Sequence, residues 1–230
     1  MTVFLKGCPL RCAWCHNPEG LSPQPQTIAG PAGQRMVGHQ YTSDEIAVIV
    51  NQQGEILRMN EGGVTFSGGE PLMQADFLYE VLDKLDRLHV LLDTSGYAPQ
   101  RTFRKVVRRS DLVHFDLKLM VPAAHRKYTG QDNALILANL HALPESGTPF
   151  VVRVPLVPGV TDGTANLAAI AQAVAGMEGL LRVELLPYNK AAGGKYRACG
   201  MGFRPDYNED KDVNADIRVF ADAGVTAKVC

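Results

Sequence analysis

The sequence lacks an excess of charge of either sign, because 23 lysine and arginine side chains stand against 24 aspartate and glutamate side chains. Proteins that bind the phosphate backbone of nucleic acids need clustered positive charge, so we expect no nucleic-acid partner. The sequence also lacks any apolar run approaching the roughly 20 residues that cross a bilayer. Residues 1–7 are too few for a secretory signal peptide. We therefore expect a cytoplasmic protein that does not contact membranes.

Cysteine is scarce, with five residues in 230, yet Cys8, Cys12 and Cys15 fall close together. Neighbouring cysteines in a tight loop are poorly placed to pair with one another. This spacing argues against the disulfide framework of small secreted proteins. Three thiols in one loop indicate a metal site instead.

Short β-branched or apolar runs alternate with longer stretches whose apolar residues recur at helical spacing. Strands are predicted at 3–6, 63–67, 90–94, 112–117, 150–156 and 183–187, with a further candidate at 226–229. Helices are predicted at 43–53, 74–88, 100–109, 133–143, 165–175 and 213–223. The alternation predicts one α/β domain over residues 1–230, with a parallel sheet closed or partly closed into a barrel. Residues 17–40 and 191–212 show neither period, so we expect irregular loops there.

The cysteine loop offers an incomplete set of ligands for an iron–sulfur cube. A [4Fe–4S] cluster in an electron-transfer protein usually takes four cysteines, whereas Cys8, Cys12 and Cys15 leave one iron open. The alternative is a structural zinc site completed by Cys199 or His16. Only the pair Cys12 and Cys15 has the spacing that zinc sites favour, so the pattern favours an iron–sulfur cluster.

The spacing Cys-x3-Cys-x-aromatic-Cys resembles the signature of the radical S-adenosylmethionine (SAM) superfamily. The longer run over residues 4–20, Phe-Leu-Lys-Gly-Cys-Pro-Leu-Arg-Cys-Ala-Trp-Cys-His-Asn-Pro-Glu-Gly, is similar to the glycyl-radical-enzyme activating enzymes related to pyruvate formate-lyase activating enzyme. The resemblance implies a partial (β/α)6 TIM-like barrel with a [4Fe–4S] cluster on Cys8, Cys12 and Cys15. It also implies that the cluster binds and reductively cleaves SAM, and that the resulting 5′-deoxyadenosyl radical takes hydrogen from a glycine of a partner enzyme. Flavodoxin or ferredoxin would supply the electron, and the protein would be a monomer.

Two glycines and a carboxylate end the second predicted strand. Gly68 and Gly69 let the backbone approach a ligand, and Glu70 can accept hydrogen bonds from an ammonium group. Taken alone, Gly-Gly-Glu fits a plain turn equally well. The resemblance implies that these three residues hold the amino group of SAM and that Trp14 lies beside the adenine.

Charged and polar side chains also follow the later strands, and they are Asp93, Asp116, Lys118, Arg153 and Asn189. Because the carboxyl ends of parallel strands share one edge, we expect these side chains to converge. One interpretation is structural, with the first three in a buried salt bridge and Arg153 paired with Glu184. The resemblance implies instead that Asp93 and Lys118 contact SAM, that Arg153 binds its carboxylate, and that Asn189 bonds its ribose or adenine. It further implies a monovalent cation between Asp93 and Asp116.

The resemblance also predicts two departures from the family. Its members carry an Asp-Gly-Pro-Gly-x-Arg motif before the strand that begins here at Val3, which indicates a shortened N-terminus. Many members insert a ferredoxin-like module with eight cysteines after the SAM cysteines. Residues 17–40 contain no cysteine, so we expect a single cluster.

Other functions stay open at the level of sequence. The partner enzyme could be a pyruvate formate-lyase, a dehydratase, another lyase or a decarboxylase. A radical SAM enzyme could also act on a small molecule, as the 7-carboxy-7-deazaguanine synthases do, and would then need a closed pocket rather than an open mouth. A non-enzymatic alternative is a metal-bound structural protein or an inactive truncated paralogue.

Overall fold

The computed structural model describes residues 1–30 and 33–230. Its strands are Thr2–Leu5 (β1), Gln26–Gly30 (β2), Gly33–Val37 (β3), Gly63–Gly68 (β4), His89–Thr94 (β5), Leu112–Asp116 (β6), Phe150–Leu156 (β7), Leu180–Pro187 (β8) and Ala227–Val229 (β9). Its α-helices are Ser43–Gln52 (α1), Gly54–Met59 (α2), Ala75–Asp83 (α3), Gln100–Val107 (α4), Pro122–Thr129 (α5), Ala134–Ala142 (α6), Thr164–Val174 (α7), Ala192–Ala198 (α8) and Arg218–Ala221 (α9). No described helix has the combination of length and apolar content that crossing a membrane requires.

In the described part of the chain, seven strands form one sheet in the order β1-β4-β5-β6-β7-β8-β9. Every neighbouring pair is parallel. This sequential order, with helices between the strands, is that of a TIM-type barrel. Since β1 and β9 are the two ends of the order rather than neighbours, the barrel is partial. The predicted α/β class and partial barrel are confirmed, and the candidate final strand forms β9.

Side chains of the strands alternate between two environments. Phe66, Leu92, Phe115 and Val152 are at most 1% exposed and lie in the main hydrophobic core. The next residue along each of these strands is polar, and these residues are Ser67, Asp93, Asp116 and Arg153. Because successive strand residues face opposite sides of a sheet, the fold directs all four polar side chains to the face away from that core.

The helices differ from the prediction in several places. Helix α2 was not predicted, and α3 ends at Asp83 rather than at residue 88. The predicted helix at 213–223 is reduced to α9. Helix α5 was not predicted because its inward positions carry His125 and Thr129 instead of a periodic apolar stripe. It starts with a proline in its first turn and ends at Gly130, which has a φ of +80°; both are ordinary helix-end signals. Helix α8 contains Gly193 and Gly194, poor helix formers, and lies in the segment expected to be irregular.

The segment 17–40 is not wholly irregular, which corrects the prediction. Strands β2 and β3 form an antiparallel hairpin in which Gln26 pairs with Val37 and Gly30 with Gly33. Ile28 is the one buried side chain of these two strands, so the sequence lacks the alternating apolar pattern of a half-buried strand. Residues 31 and 32 of the predicted loop lie outside the described residues.

We predict that Gly96→Ala lowers the free energy of unfolding by about 3 kcal/mol, from backbone strain and overpacking together. Gly96 follows β5 with a φ of +71°, and an added Cβ would overlap the ring of Phe115. Urea unfolding measured at equilibrium tests this value.

Gly159→Ala is the matched control, because Gly159 has the same φ of +71° but an added Cβ would meet no surrounding atom within 4 Å. We expect a loss of about 1 kcal/mol from the backbone alone. Equal losses in the two variants would show that contact with Phe115 adds nothing.

Candidate functional site

The loop that carries the three cysteines begins directly after β1. Its backbone is fixed by neighbouring segments rather than by regular structure. The amide of Arg11 donates to the carbonyl oxygen of Thr129 at 2.7 Å, and that of Ala13 donates to the carbonyl of Tyr128 at 2.8 Å. The amide of Gly7 donates to the carbonyl of Gly20 at 2.7 Å. The end of α5 and the turn at Pro18–Gly20 therefore hold the loop from two sides.

The three thiols are partly buried and form no disulfide. Burial raises the pKa of Cys8 to about 11 and that of Cys12 to about 12, and it also raises the pKa of Cys15. Thiols of this kind stay protonated near neutral pH until a metal replaces the proton. The loop therefore offers three neutral donors that become thiolates when a metal binds.

The donor set fits an iron–sulfur cluster better than zinc. A structural zinc site needs four ligands converging on one ion. Within residues 1–30 and 33–230, no group of three or more His, Cys, Asp or Glu side chains is close enough to hold a single metal ion. A cubane cluster instead spreads its cysteine ligands over different irons, which suits three thiols in separate positions on one loop.

The cysteines share a cavity of about 350 Å³ with residues at the carboxyl ends of the strands. The predicted site residues that line it are Cys8, Cys12, Cys15, Trp14, Gly68, Gly69, Asp93, Asp116, Lys118, Arg153 and Asn189. The volume lies within the range of small-molecule sites. The fold therefore brings nearly all of the residues singled out in the sequence to one place.

Arg153 links the carboxylates of two neighbouring strands. One of its terminal nitrogens lies 2.5 Å from Asp93 Oδ1 and 3.2 Å from Asp116 Oδ1. Lys118 Nζ donates to Asp116 Oδ2 at 3.0 Å, and Ser67 Oγ donates to Asp93 Oδ2 at 2.7 Å. The two carboxylates and the two cations form one ion-pair network on the cavity wall.

The network also settles the structural alternative for Arg153. Glu184 does not pair with it, because its carboxylate is 2.7 Å from Arg182 and 3.2 Å from Lys228. Of the two structural interpretations, the first is seen in part, because Lys118 pairs with Asp116 but Asp93 pairs with Arg153. The pairing of Arg153 with Glu184 is wrong. The same charged groups nevertheless line the cavity, so a ligand there would meet them directly.

The charges of the network support one another. Burial and the nearby Asp116 raise the pKa of Asp93. Burial would also raise the pKa of Asp116, but Lys118 and Arg153 outweigh it and hold that pKa below its ordinary value. Burial opposes the charge on Lys118, yet Asp116 raises its pKa. Arg153 and Lys118 thus oppose the effect of burial on the pKa of both carboxyl groups.

Glu70 departs from the prediction. Its side chain is 1% exposed and does not line the cavity. Oε1 accepts from the Leu72 amide at 3.1 Å and the Thr94 hydroxyl at 2.6 Å, and Oε2 accepts from the Ser95 amide at 2.8 Å and the Ser95 hydroxyl at 2.5 Å. A carboxylate has about four acceptor positions. All of them are used by groups of the protein, so Glu70 itself has no acceptor position left for an ammonium group.

Several cavity residues escaped the sequence prediction, and they include Ser67, Thr94, Ser95 and Tyr188. Ser67 and Thr94 adjoin the predicted Gly68 and Asp93 at the ends of β4 and β5, and Ser95 follows Thr94. Their position at the end of a predicted parallel strand is therefore the one feature of the sequence that could have identified them. Serine and threonine are common in ordinary turns, so residue type alone gave no reason to select them.

Helix α8 is tied to the segment that follows the third cysteine. Lys195 Nζ lies 2.9 Å from Asn17 Oδ1 and 3.0 Å from Glu19 Oε1. Asn189, which precedes this helix, uses its side-chain oxygen to accept from the amide of Ala191 at 2.9 Å. The amide nitrogen of Asn189 is the part of that side chain left for a ligand.

Comparison with protein families matches residues 2–169 to the radical SAM superfamily. The pyruvate formate-lyase 2-activating enzyme of Escherichia coli (strain K12) is 31% identical over 86% of this chain and 74% of its own length. The 4-hydroxyphenylacetate decarboxylase activating enzyme of Clostridioides difficile (strain CD196) is 27% identical over 99% of this chain and 90% of its own length. That alignment spans 287 positions, more than the 230 residues of this chain, so the relative contains segments that this chain lacks.

Solved structures agree with the sequence matches. The crystal structure of a domain of pyruvate-formate lyase-activating enzyme from Bacteroides vulgatus ATCC 8482 has a TM-score of 0.58 and 28% identity to this chain. The match covers 74% of this chain and 99% of that one. The cysteine loop, the partial barrel and these relatives lead to one assignment: the chain belongs to the radical SAM superfamily and, within it, to the glycyl-radical-enzyme activating enzymes.

Proposed function

We propose that this protein cleaves SAM at a [4Fe–4S] cluster and activates a partner enzyme by removing a hydrogen atom from one of its glycines. The observation that carries the proposal is the shared cavity. Cys8, Cys12 and Cys15 line the same space as the paired charges of Asp93, Asp116, Lys118 and Arg153. The thiols can bind a cluster, and the charged side chains beside them can bind the ammonium and carboxylate groups of SAM.

The bound cluster would supply the electron that splits the sulfonium of SAM into methionine and a 5′-deoxyadenosyl radical. The chain itself contributes ligands, orientation and exclusion of water. Cys8, Cys12 and Cys15 would be the protein ligands of that cluster and would leave one iron without a protein ligand, open to SAM. Leu10 is 2% and Trp14 6% exposed, so apolar side chains flank the thiols and limit the access of water.

The cavity wall offers partners for each part of SAM. Lys118 and Arg153 are the cations available to its carboxylate, and a guanidinium fork matches that group well. Asp93 carries the opposite charge for the ammonium group. Trp14 offers a ring face to the adenine, and Asn189 offers an amide to the ribose or adenine. Gly68 and Gly69 allow the close approach of the backbone.

We leave a monovalent cation out of the proposed function. The sequence resemblance implies one between Asp93 and Asp116. The guanidinium of Arg153 already bridges these two carboxylates, at 2.5 Å and 3.2 Å. A further cation there would have to displace Arg153 or share its ligands.

We also propose a cytoplasmic setting, a monomeric enzyme, and flavodoxin or ferredoxin as the electron donor. The lack of cysteine in residues 17–40 supports a protein with one cluster, whose electron then comes from an external donor. The names of the relatives support the class of partner. They do not choose between a lyase such as pyruvate formate-lyase and a decarboxylase.

We predict that alanine at Cys8, Cys12 or Cys15 prevents cluster assembly. Iron after anaerobic reconstitution should fall from about four atoms per chain to under about one. The measurement is iron and acid-labile sulfide per chain. Cys199→Ala is the control, because Cys199 is also partly buried and free but does not line the cavity; its cluster should be complete. Zinc without sulfide in the unmodified protein would contradict the proposal.

We predict that Arg153→Met lowers the free energy of unfolding by about 3 kcal/mol at pH 7, because two buried carboxylates lose a partner. Arg153 lowers the pKa of both Asp93 and Asp116. Without it, both folded-state pKa values rise. The loss of unfolding free energy is therefore largest at pH values above the raised pKa values, and it becomes smaller as the pH falls through them.

Urea unfolding at neutral and acidic pH measures this change for the cluster-free protein. Arg182→Met is the matched control, since Glu184 keeps Lys228 as a partner at 3.2 Å and should lose less. A deficit that does not change with pH would rule out the two carboxylates as its source.

We predict that the reconstituted and reduced protein with SAM produces a glycyl radical on its true partner, seen as a doublet by electron paramagnetic resonance. Candidate partners are a pyruvate formate-lyase and a 4-hydroxyphenylacetate decarboxylase. A partner with its radical glycine replaced by alanine is the control and should give no doublet. SAM cleavage without a doublet on any glycyl radical enzyme would point to a small-molecule substrate instead.

A further inference from the structure

We propose that Glu70 is a positioning residue that fixes the Ser95 hydroxyl as the hydrogen-bond acceptor for the ammonium group of SAM. Glu70 lies behind the cavity wall, whereas Ser95 lines the cavity. The inference rests on the proposed function, because it takes SAM as the ligand. It changes which side chain of this region meets that ligand.

The first step concerns the proton of the Ser95 hydroxyl. Ser95 Oγ lies 2.5 Å from Glu70 Oε2, and the Ser95 amide donates to the same oxygen at 2.8 Å. A hydroxyl has one proton to donate and two lone pairs to accept with. Because that proton is committed to Glu70, Ser95 faces any other neighbour as an acceptor only.

The second step concerns what already occupies those lone pairs. The amide of Tyr97 approaches Ser95 Oγ at 3.4 Å, at the long limit of a hydrogen bond. The neighbouring Thr94 hydroxyl is committed more fully, because it donates to Glu70 at 2.6 Å and accepts from the Gly96 amide at 2.9 Å. Ser95 is therefore the hydroxyl of this pair with acceptor capacity left for a ligand.

The third step concerns charge. All four hydrogen-bond partners of Glu70 are neutral amide and hydroxyl groups. Burial raises the pKa of Glu70 and these hydrogen bonds oppose that rise, but no cation pairs with Glu70 as Arg153 and Lys118 pair with Asp93 and Asp116. A donor with a positive charge suits this wall, and the ammonium group of SAM is such a donor.

The test compares SAM with its desamino analogue, in which hydrogen replaces the amino group of the methionine part. Binding of each to the reconstituted protein is measured by equilibrium dialysis. Ser95→Ala should weaken SAM binding roughly ten- to hundredfold, as for a lost hydrogen bond to a charged group. It should leave the affinity for the analogue unchanged within about twofold.

Glu70→Gln tests the positioning role. The amide nitrogen would donate to Ser95 Oγ and turn the serine proton towards the cavity, so SAM should again lose affinity selectively. Adding Ser95→Ala to Glu70→Gln should then cause no further loss for SAM. Additive losses in the double variant would show that Glu70 does not act through Ser95.

Ser43→Ala is the matched control, because the Ser43 hydroxyl also donates to a glutamate, Glu80, at 2.8 Å, but neither residue lines the cavity. It should change neither affinity. Iron content and the unfolding midpoint of each variant show whether it is folded and loaded. If Glu70→Gln does not fold, Ser95→Ala alone still decides the contact with the ammonium group.

The outcomes separate this inference from the proposed function. Equal weakening of SAM and the analogue by Ser95→Ala, or no weakening of either, overturns the inference while SAM remains the ligand. Failure of the unmodified, fully loaded protein to bind either molecule overturns the proposed function itself.

Discussion

The rim of the sheet depends on one interaction, the pairing of the Arg153 guanidinium with Asp93 and Asp116. These residues come from three successive strands, β5, β6 and β7. Parallel strands bring their carboxyl ends together even where the side chains at those ends carry charges that repel one another. Two carboxylates at neighbouring strand ends would repel each other, and the arginine of the third strand turns that repulsion into attraction. The positions of Lys118 and Ser67 follow, since each bonds one of the same carboxylates.

The cysteine loop obeys a different constraint, because it has no periodic structure of its own. Backbone hydrogen bonds to Tyr128 and Thr129 give it a fixed path. Those residues end helix α5, whose inward side is built on His125. The His125 ring nitrogen lies 2.7 Å from the carbonyl oxygen of Gln131, just beyond the helix. The conformation of the metal-binding loop is thus set in part by a segment more than a hundred residues later in the chain.

Sequence reasoning succeeded where a residue type has few alternative uses. Three cysteines in one loop of a protein without a disulfide framework indicate a metal site, and an arginine in an apolar strand such as β7 is costly without a partner. Both could therefore be selected as site residues. It could not show that the Glu70 side chain bonds to groups inside the fold, because such a glutamate looks the same in sequence as one that faces a ligand. It could not choose the partner of Arg153, since Asp93, Asp116 and Glu184 all lie on nearby strands. The hairpin β2–β3 was missed because Ile28 gives it one buried side chain and no alternation.

None of the described residues between Asn17 and Ser67 lines the cavity, although this stretch includes the hairpin and the first two helices. Strands β1 and β4 are hydrogen-bonded neighbours in the sheet. After the cysteine loop, which lines the cavity, the described part of the connection between them runs outside the wall of the site. Evolution can lengthen, shorten or replace such a connection without altering a single group that meets the ligand. The longer alignment with the Clostridioides difficile relative is consistent with a family that diversifies by exchanging peripheral segments around an unchanged chemical centre.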